Sequence, residues 1–179
     1  MPSFRIRPAD SGDALGMASV RVNTWRVAYR GIVPDAFLDG LSAEGVADRW
    51  SKAFWQDRDP GVGLFVAENE AGEIIGIAIC GPEQDRAPAH KGEIYVLYVL
   101  PAYQQRGIGR SLVAACARHL IGQLGAKTLI VWVIAENPYR RFYESLGGKL
   151  VREKTMEIGG KPILEAGYGW DELDSLQYL

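Results

Sequence analysis

Short alternating runs and helical repeats divide this chain, with no long apolar block between them. Phe4-Arg5-Ile6-Arg7 alternates like an edge strand and is stopped by Pro8. Asp10 or Ser11 can cap the next segment. There Leu15, Ala18, Val22, Trp25 and Tyr29 recur at helical steps and predict an amphipathic helix ended by Gly31. Pro34 opens a second helical stretch at its first turn, with Phe37, Leu38, Leu41, Val46, Trp50, Phe54 and Trp55 along it and a break near Gly40.

From Gly61 the period changes. Leu64-Phe65-Val66-Ala67 and Ile74-Ile75-Gly76-Ile77-Ala78-Ile79 read as strands joined by the hairpin turn Asn69-Glu70-Ala71-Gly72. A polar, proline-bearing loop comes next, from Gly81 to Gly92. Glu93-Ile94-Tyr95-Val96-Leu97-Tyr98-Val99-Leu100 is apolar on both faces after its first residue, which places it inside a covered sheet. A glycine-bearing turn, 104–109, leads into a helix over 110–120, and 128–133 is another buried strand. Pro138 to Leu146 reads as a short helix ended by Gly147-Gly148. Two final strands, 149–158 and 162–170, meet at a Gly159-Gly160 turn. The order predicts an α/β (α+β) fold with a mixed sheet and helices on both faces.

Composition narrows the classes. The 179 residues suit one domain, 1–179, and the 47% hydrophobic content is ordinary for a globular chain. A net charge of −2 argues against wrapping a polyanion, so no nucleic-acid partner is expected. Cys80 and Cys116 lie in apolar runs and form no CxxC, which fits a reducing, cytoplasmic setting. No apolar run approaches the ~20 residues of a membrane span, and the first residues carry no apolar signal core. The histidines, His90 and His119, and the cysteines show no metal-ligand spacing, so no metal is expected. His90 reads as a surface residue, and His119 and Cys116 as structural ones.

The chemistry begins at Gln104-Gln105-Arg106-Gly107-Ile108-Gly109-Arg110. Glycines let the main chain approach a ligand closely, and the free amides of a helix start, flanked by two guanidinium groups, make an anion site suited to phosphate or pyrophosphate. A tight turn whose glycines serve packing alone is the other reading. The turn lacks the Gly-Lys-Ser/Thr of a P-loop. The dinucleotide fingerprint is absent as well.

The segment from Val99 to Gly109 resembles the acetyl-CoA motif of the GNAT superfamily of N-acetyltransferases, Gln/Arg-x-x-Gly-x-Gly/Ala after a buried strand, with Gln104, Gly107 and Gly109 matching. Asn137 to Gly148 resembles the family's next motif, Asn-x-x-Ala-x-x-x-Tyr-x-x-x-Gly-Phe, with Asn137, Tyr143 and Gly147 matching; Arg140 stands in place of the alanine and Gly148 in place of the aromatic. The resemblance implies a mostly antiparallel sheet of about seven strands whose central parallel pair splays apart. The pantetheine arm of acetyl-CoA, the co-substrate, fills that gap. Main-chain groups of Leu97 and Val99 pair with the arm and Asn137 bonds it. The turn from Gln104 through Gln105, Arg106, Gly107, Ile108 and Gly109 to Arg110 holds the pyrophosphate. Acceptor recognition falls to the first helices and the last hairpin; Trp25 and Tyr29, one helical turn apart, can form an aromatic wall or a cation–π contact there, or belong to the core.

Acetyl transfer from a thioester needs a neutral amine, a polarised carbonyl and a proton for the departing thiolate, with no covalent enzyme intermediate. Tyr143 matches the family's thiolate-protonating tyrosine; its other reading is packing against the sheet. Glu93 is the only charged residue of its strand and by alternation shares a face with Tyr95, Leu97 and Val99. There it can take the ammonium proton through water, or it is simply a solvated strand end. The expected enzyme is an N-acetyltransferase acting on a primary amine, as a monomer or a homodimer. Its rival is a silent acyl-CoA-binding module.

Overall fold

The computed structural model describes residues 3–57, 59–85 and 89–179; the opening Met1-Pro2 and residues 86–88 of the proline-bearing loop lie outside them. The strands are β1 (Phe4–Pro8), β2 (Gly63–Asn69), β3 (Ile74–Pro82), β4 (Gly92–Val99), β5 (Leu129–Ile134), β6 (Lys149–Ile158) and β7 (Lys161–Trp170). They form one seven-stranded sheet in the order β1-β2-β3-β4-β5-β7-β6. Every neighbouring pair is antiparallel except β4 and β5. The helices are α1 (Ala14–Ala28), α2 (Asp35–Asp39), α3 (Ala43–Ser51), α4 (Ile108–Leu124) and α5 (Arg141–Ser145).

The helix boundaries have local causes. Asp10 accepts from the Gly12 amide while Asp13 accepts from that of Asp10, a capping box that starts the turn before α1. Pro34 stands just outside α2 as its cap, one position earlier than the sequence pattern suggests, and Gly40 ends that helix. Ser42 caps α3, which runs on into a π-helical turn over Lys52–Gln56 carrying Phe54 and Trp55. α4 starts before Arg110 and continues past Leu120, because Gly125 in the left-handed region closes it. The predicted 138–146 helix is a 3-10 turn, Pro138–Arg140, followed by α5.

Helices cover both faces. On one, Leu112, Val113, Cys116, Ala117 and Leu120 of α4 bury against Ala78, Cys80, Ile94, Leu129 and Val131. Gly92 belongs to this packing: a Cβ there would come within 2.9 Å of Leu120, so glycine lets α4 lie close. On the other face α1 places Met17 and Val20 on Leu64, Val66, Ile77 and Ile79. Cys80 and Cys116 are both buried and free.

The feature that shapes the site is how β4 leaves β5. Their parallel register holds only for Gly92–Leu129, Glu93–Ile130 and Ile94–Val131. Opposite that point the β3–β4 ladder slips, since Ile79 faces Val96 while Cys80 faces Ile94, leaving Tyr95 as the extra residue of a bulge. A bulge bends its strand and increases the local twist, so β4 turns away from β5 beyond Ile94.

Candidate active site

The gap between the diverging strands is a cleft of about 400 Å³. Leu97 and Val99 line it from β4, Val131, Trp132 and Val133 from β5. The Leu100 amide donates to Ile75 on β3 at 2.9 Å. Alternation along a strand then turns the main-chain groups of Leu97 and Val99 the other way, into the gap. The Val99 carbonyl already accepts a 3.0 Å hydrogen bond from the Gln104 side chain, which ties the turn to the strand before it.

At one end of the cleft the 104–110 turn has Gln105 at φ +60° and Gly107 at φ +85°. Two left-handed residues two positions apart turn the chain tightly around a concavity, and the start of the 17-residue α4 adds its own free donors there. Gln104, Gln105, Gly107, Ile108, Gly109 and Arg110 all line the cleft. Arg106 does not; its guanidinium lies 5.5 Å from the centre of the Tyr103 ring. The glycines divide the labour in a way that the spacing did not reveal. Gly107 supplies the left-handed cap, whereas Gly109 is helical and supplies space, because a Cβ there would meet the Phe142 ring at 3.2 Å.

Tyr143 lines the cleft from α5, with 9% of its surface exposed. Burial, with Tyr98 nearby, pushes its hydroxyl above the ordinary tyrosine value. Asn137 also lines the cleft, but its side chain has work within the fold. Its Oδ1 caps the 3-10 turn by accepting from the Tyr139 amide at 3.0 Å, and its Nδ2 donates to the Tyr29 hydroxyl at 3.4 Å. The departure at Gly148 has a steric cause. A Cβ there would come within 2.6 Å of Trp170, whose indole fills that space and donates to the Leu146 carbonyl at 2.9 Å.

On the α1 side Tyr29 lines the cleft, and Trp25 stands behind it, edge to face at 4.9 Å, with its indole Nε1 donating to the Tyr98 hydroxyl at 2.8 Å. Thr24, Tyr95, Tyr98, Trp132 and Tyr139 line it as well and were not singled out from the sequence. The signal for Tyr98 was present as a polar-tipped residue inside an apolar strand, but the gap that exposes it comes only from the splay.

Glu93 is 8% exposed and stands outside the cleft lining. Its face differs from simple alternation. Ile94, Leu97 and Val99 pack together on the α4 side, while Tyr95, Val96 and Tyr98 pack on the α1 side. The bulge shifts the alternation by one, so Glu93 keeps Tyr95 as a face neighbour and loses Leu97 and Val99. Its carboxylate accepts from the Gln84 amide at 2.9 Å. Desolvation raises its pKa above the ordinary carboxylate value, the Gln84 hydrogen bond and Lys154 oppose that, and Glu83 and Asp85 add to it. His119 bridges to the Gly61 carbonyl at 3.1 Å and packs on Phe65. Among the described residues no group of His, Cys, Asp and Glu side chains is placed to hold a metal, and no helix is long and apolar enough to cross a membrane.

Known proteins are similar to this chain in sequence and in fold. Residues 25–148 match the model of the acetyltransferase (GNAT) family. The chain is 34% identical over 174 residues to the uncharacterized N-acetyltransferase YuaI of Bacillus subtilis, covering 97% of this chain and 96% of that one. It is 30% identical over 131 residues to the mycothiol acetyltransferase of Propionibacterium freudenreichii, of which it spans 40% while 72% of this chain is covered. Among solved structures, yncA of Salmonella typhimurium, a putative acetyltransferase with its cofactor acetyl-CoA, superposes with a TM-score of 0.68 at 21% identity, covering 96% of this chain and 94% of that one. The splayed strand pair and the glycine turn at its mouth define an acyltransferase fold, and this chain belongs to the GNAT family of acetyltransferases.

Proposed function

We propose that the whole chain, 1–179, works as one domain in the cytoplasm. It transfers the acetyl group of acetyl-CoA directly to the primary amine of a small molecule or a protein. The observation that carries this reading is the position of Tyr143, a buried neutral phenol on the wall of the same gap that the 104–110 amides close. In this reading the turn amides with Arg110 hold the pyrophosphate, and the inward-facing main chain of Leu97 and Val99 orients the arm. Arg106, outside the cleft lining, adds charge at its mouth.

Tyr143 gives its proton to the sulfur as the carbon–sulfur bond breaks; the nitrogen–carbon bond forms from the amine lone pair, and the ammonium proton leaves through water to Glu93. Burial suits both residues. It keeps Tyr143 protonated at neutral pH and makes Glu93 a better proton acceptor than a solvated carboxylate. The Trp25–Tyr29 wall bounds the acceptor end. Thiol release from acetyl-CoA across a panel of primary amines tests the reading. Turnover with a product heavier by one acetyl group supports it, whereas tight acetyl-CoA binding without turnover would favour the silent acyl-CoA-binding module. Gel filtration with light scattering decides between monomer and homodimer.

A further inference from the structure

The acceptor end holds two opposite charges that the fold leaves without ion-pair partners among the described residues. Arg21 lies one helical turn before Trp25, on the face of α1 that turns toward the sheet. Its guanidinium lies 4.7 Å from the centre of the Trp25 ring and 6.0 Å from that of Trp50. Glu165 is half-buried on β7, opposite Ile134 on β5 and Lys154 on β6. Lys154 is the cation best placed to neutralise it, yet the Lys154 ammonium lies 3.9 Å over the Trp132 ring and 4.0 Å from Asp85 instead. Arg152 is likewise engaged with Glu83 and Asp85. The neighbouring β7 position on this face is Gly167, where a Cβ would meet Trp132 at 3.0 Å, so the face beside Glu165 is kept low over that indole.

Both free charges act on one group. Arg21 opposes, and Glu165 adds to, the upward shift of the Tyr98 hydroxyl, while Trp25 donates to it at 2.8 Å. Tyr98 and Tyr29 line the cleft; Arg21 stands against Trp25 behind the first, and Glu165 stands opposite Ile134, which clusters with the second, so the two charges lie just outside the lining on two sides of the acceptor end. Half-buried charges of opposite sign, held apart, are complementary to a ligand that carries both signs itself, and pairing with it returns the solvation that burial removed.

We propose that the acceptor is an amine that also carries an acidic group, as a free amino acid does, with Glu165 receiving its ammonium and Arg21 its anion. The proposal rests on the acetyl-transfer reading above and narrows its substrate class. Matched pairs test it: leucine against 3-methylbutylamine, and phenylalanine against 2-phenylethylamine, followed by thiol release and product mass.

The acid-bearing member of each pair should win by roughly tenfold or more in kcat/KM, and Arg21→Gln should erase that preference by raising KM for the amino acid. Arg21→Lys, which keeps the charge, should retain much of it. Glu165→Gln should raise KM for both members. Acetyl-CoA affinity, measured by calorimetry, should stay within a few-fold in all three variants, which shows that they fold. A wild-type preference for the acid-free amines, or an unchanged preference in Arg21→Gln, overturns the proposal and leaves acetyl transfer standing. Transfer to no amine at all overturns both.

Discussion

The Trp25 indole and the Tyr98 hydroxyl, 2.8 Å apart, join the first helix to the central strand across the acceptor end of the cleft. Tyr98 is half-buried and its hydroxyl is desolvated, so its oxygen depends on that donor for part of its hydrogen bonding. Trp25→Phe keeps an aromatic ring against Tyr29 and removes the donor. A cost of about 1–3 kcal/mol is expected, with Tm lowered by about 2–4 °C for each of these in a chain of this size. A thermal scan in which the variant melts with wild type would show that the Trp25–Tyr98 bond adds nothing to stability.

The strongest test of the chemistry is Tyr143→Phe. The ring and its packing on Phe142 and Tyr168 remain, and only the acidic proton is lost. Acetyl-CoA should bind within a few-fold of wild type while kcat falls by roughly 10²-fold or more. A donor with a more acidic leaving thiol should be partly spared. Because burial moves Tyr143 above its ordinary value, the wild-type kcat should show no basic limb from this residue until beyond the range of free tyrosine. Full activity in the variant would return Tyr143 to a packing role.

Glu93 carries a pH prediction. Its folded pKa is raised, so between the unfolded and folded values the native state binds more protons, and this residue's contribution to stability falls as pH rises through that window. For activity the sign is reversed, since a base must be ionised. The kcat/KM profile should show an acidic limb displaced above the ordinary carboxylate range, and Glu93→Gln should remove that limb with about a 10²-fold loss. Near-normal rates with an unchanged limb would exclude Glu93 as the proton acceptor.

At the turn, two glycines should fail for different reasons. Gly107→Ala strains a residue at φ +85°, at a cost of about 1 kcal/mol, and should misalign the amides around it. Gly109→Val should instead push Phe142 aside from 3.2 Å and narrow the cleft. Each should weaken CoA binding by more than about tenfold in calorimetry with the fold retained. Unchanged binding in either would move the pyrophosphate away from that residue.

Gly148→Phe restores the aromatic that this chain lacks and sets it against Trp170, where even a Cβ comes within 2.6 Å. Overpacking of this kind should cost about 1–3 kcal/mol or more. Trp170→Ala should recover part of the loss when combined with it, as double-mutant denaturant titration can measure.

Local physics determined what could be read in advance. Proline, glycine and the two periodicities act over a few residues, so the seven strands, the long helices and the glycine turn were legible from the pattern itself. The resemblance around Gln104–Gly109 and Asn137–Gly147 located the cleft wall and Tyr143 for the same reason, because each motif lies within one turn and one helix.

What tertiary structure decided lies between elements. The bulge at Tyr95 arises from pairing with β3; it parts Glu93 from the face of Leu97 and Val99 and stands where the gap opens beyond Ile94. Gly109 gained its reason from Phe142 and Gly148 from Trp170, each a partner many residues away. Glu165 is left without an ion-pair partner among the described residues because Lys154 lies over Trp132 and beside Asp85. Alternation along a strand cannot anticipate an extra residue in the ladder, nor can composition tell which of many charges the fold will leave unpaired.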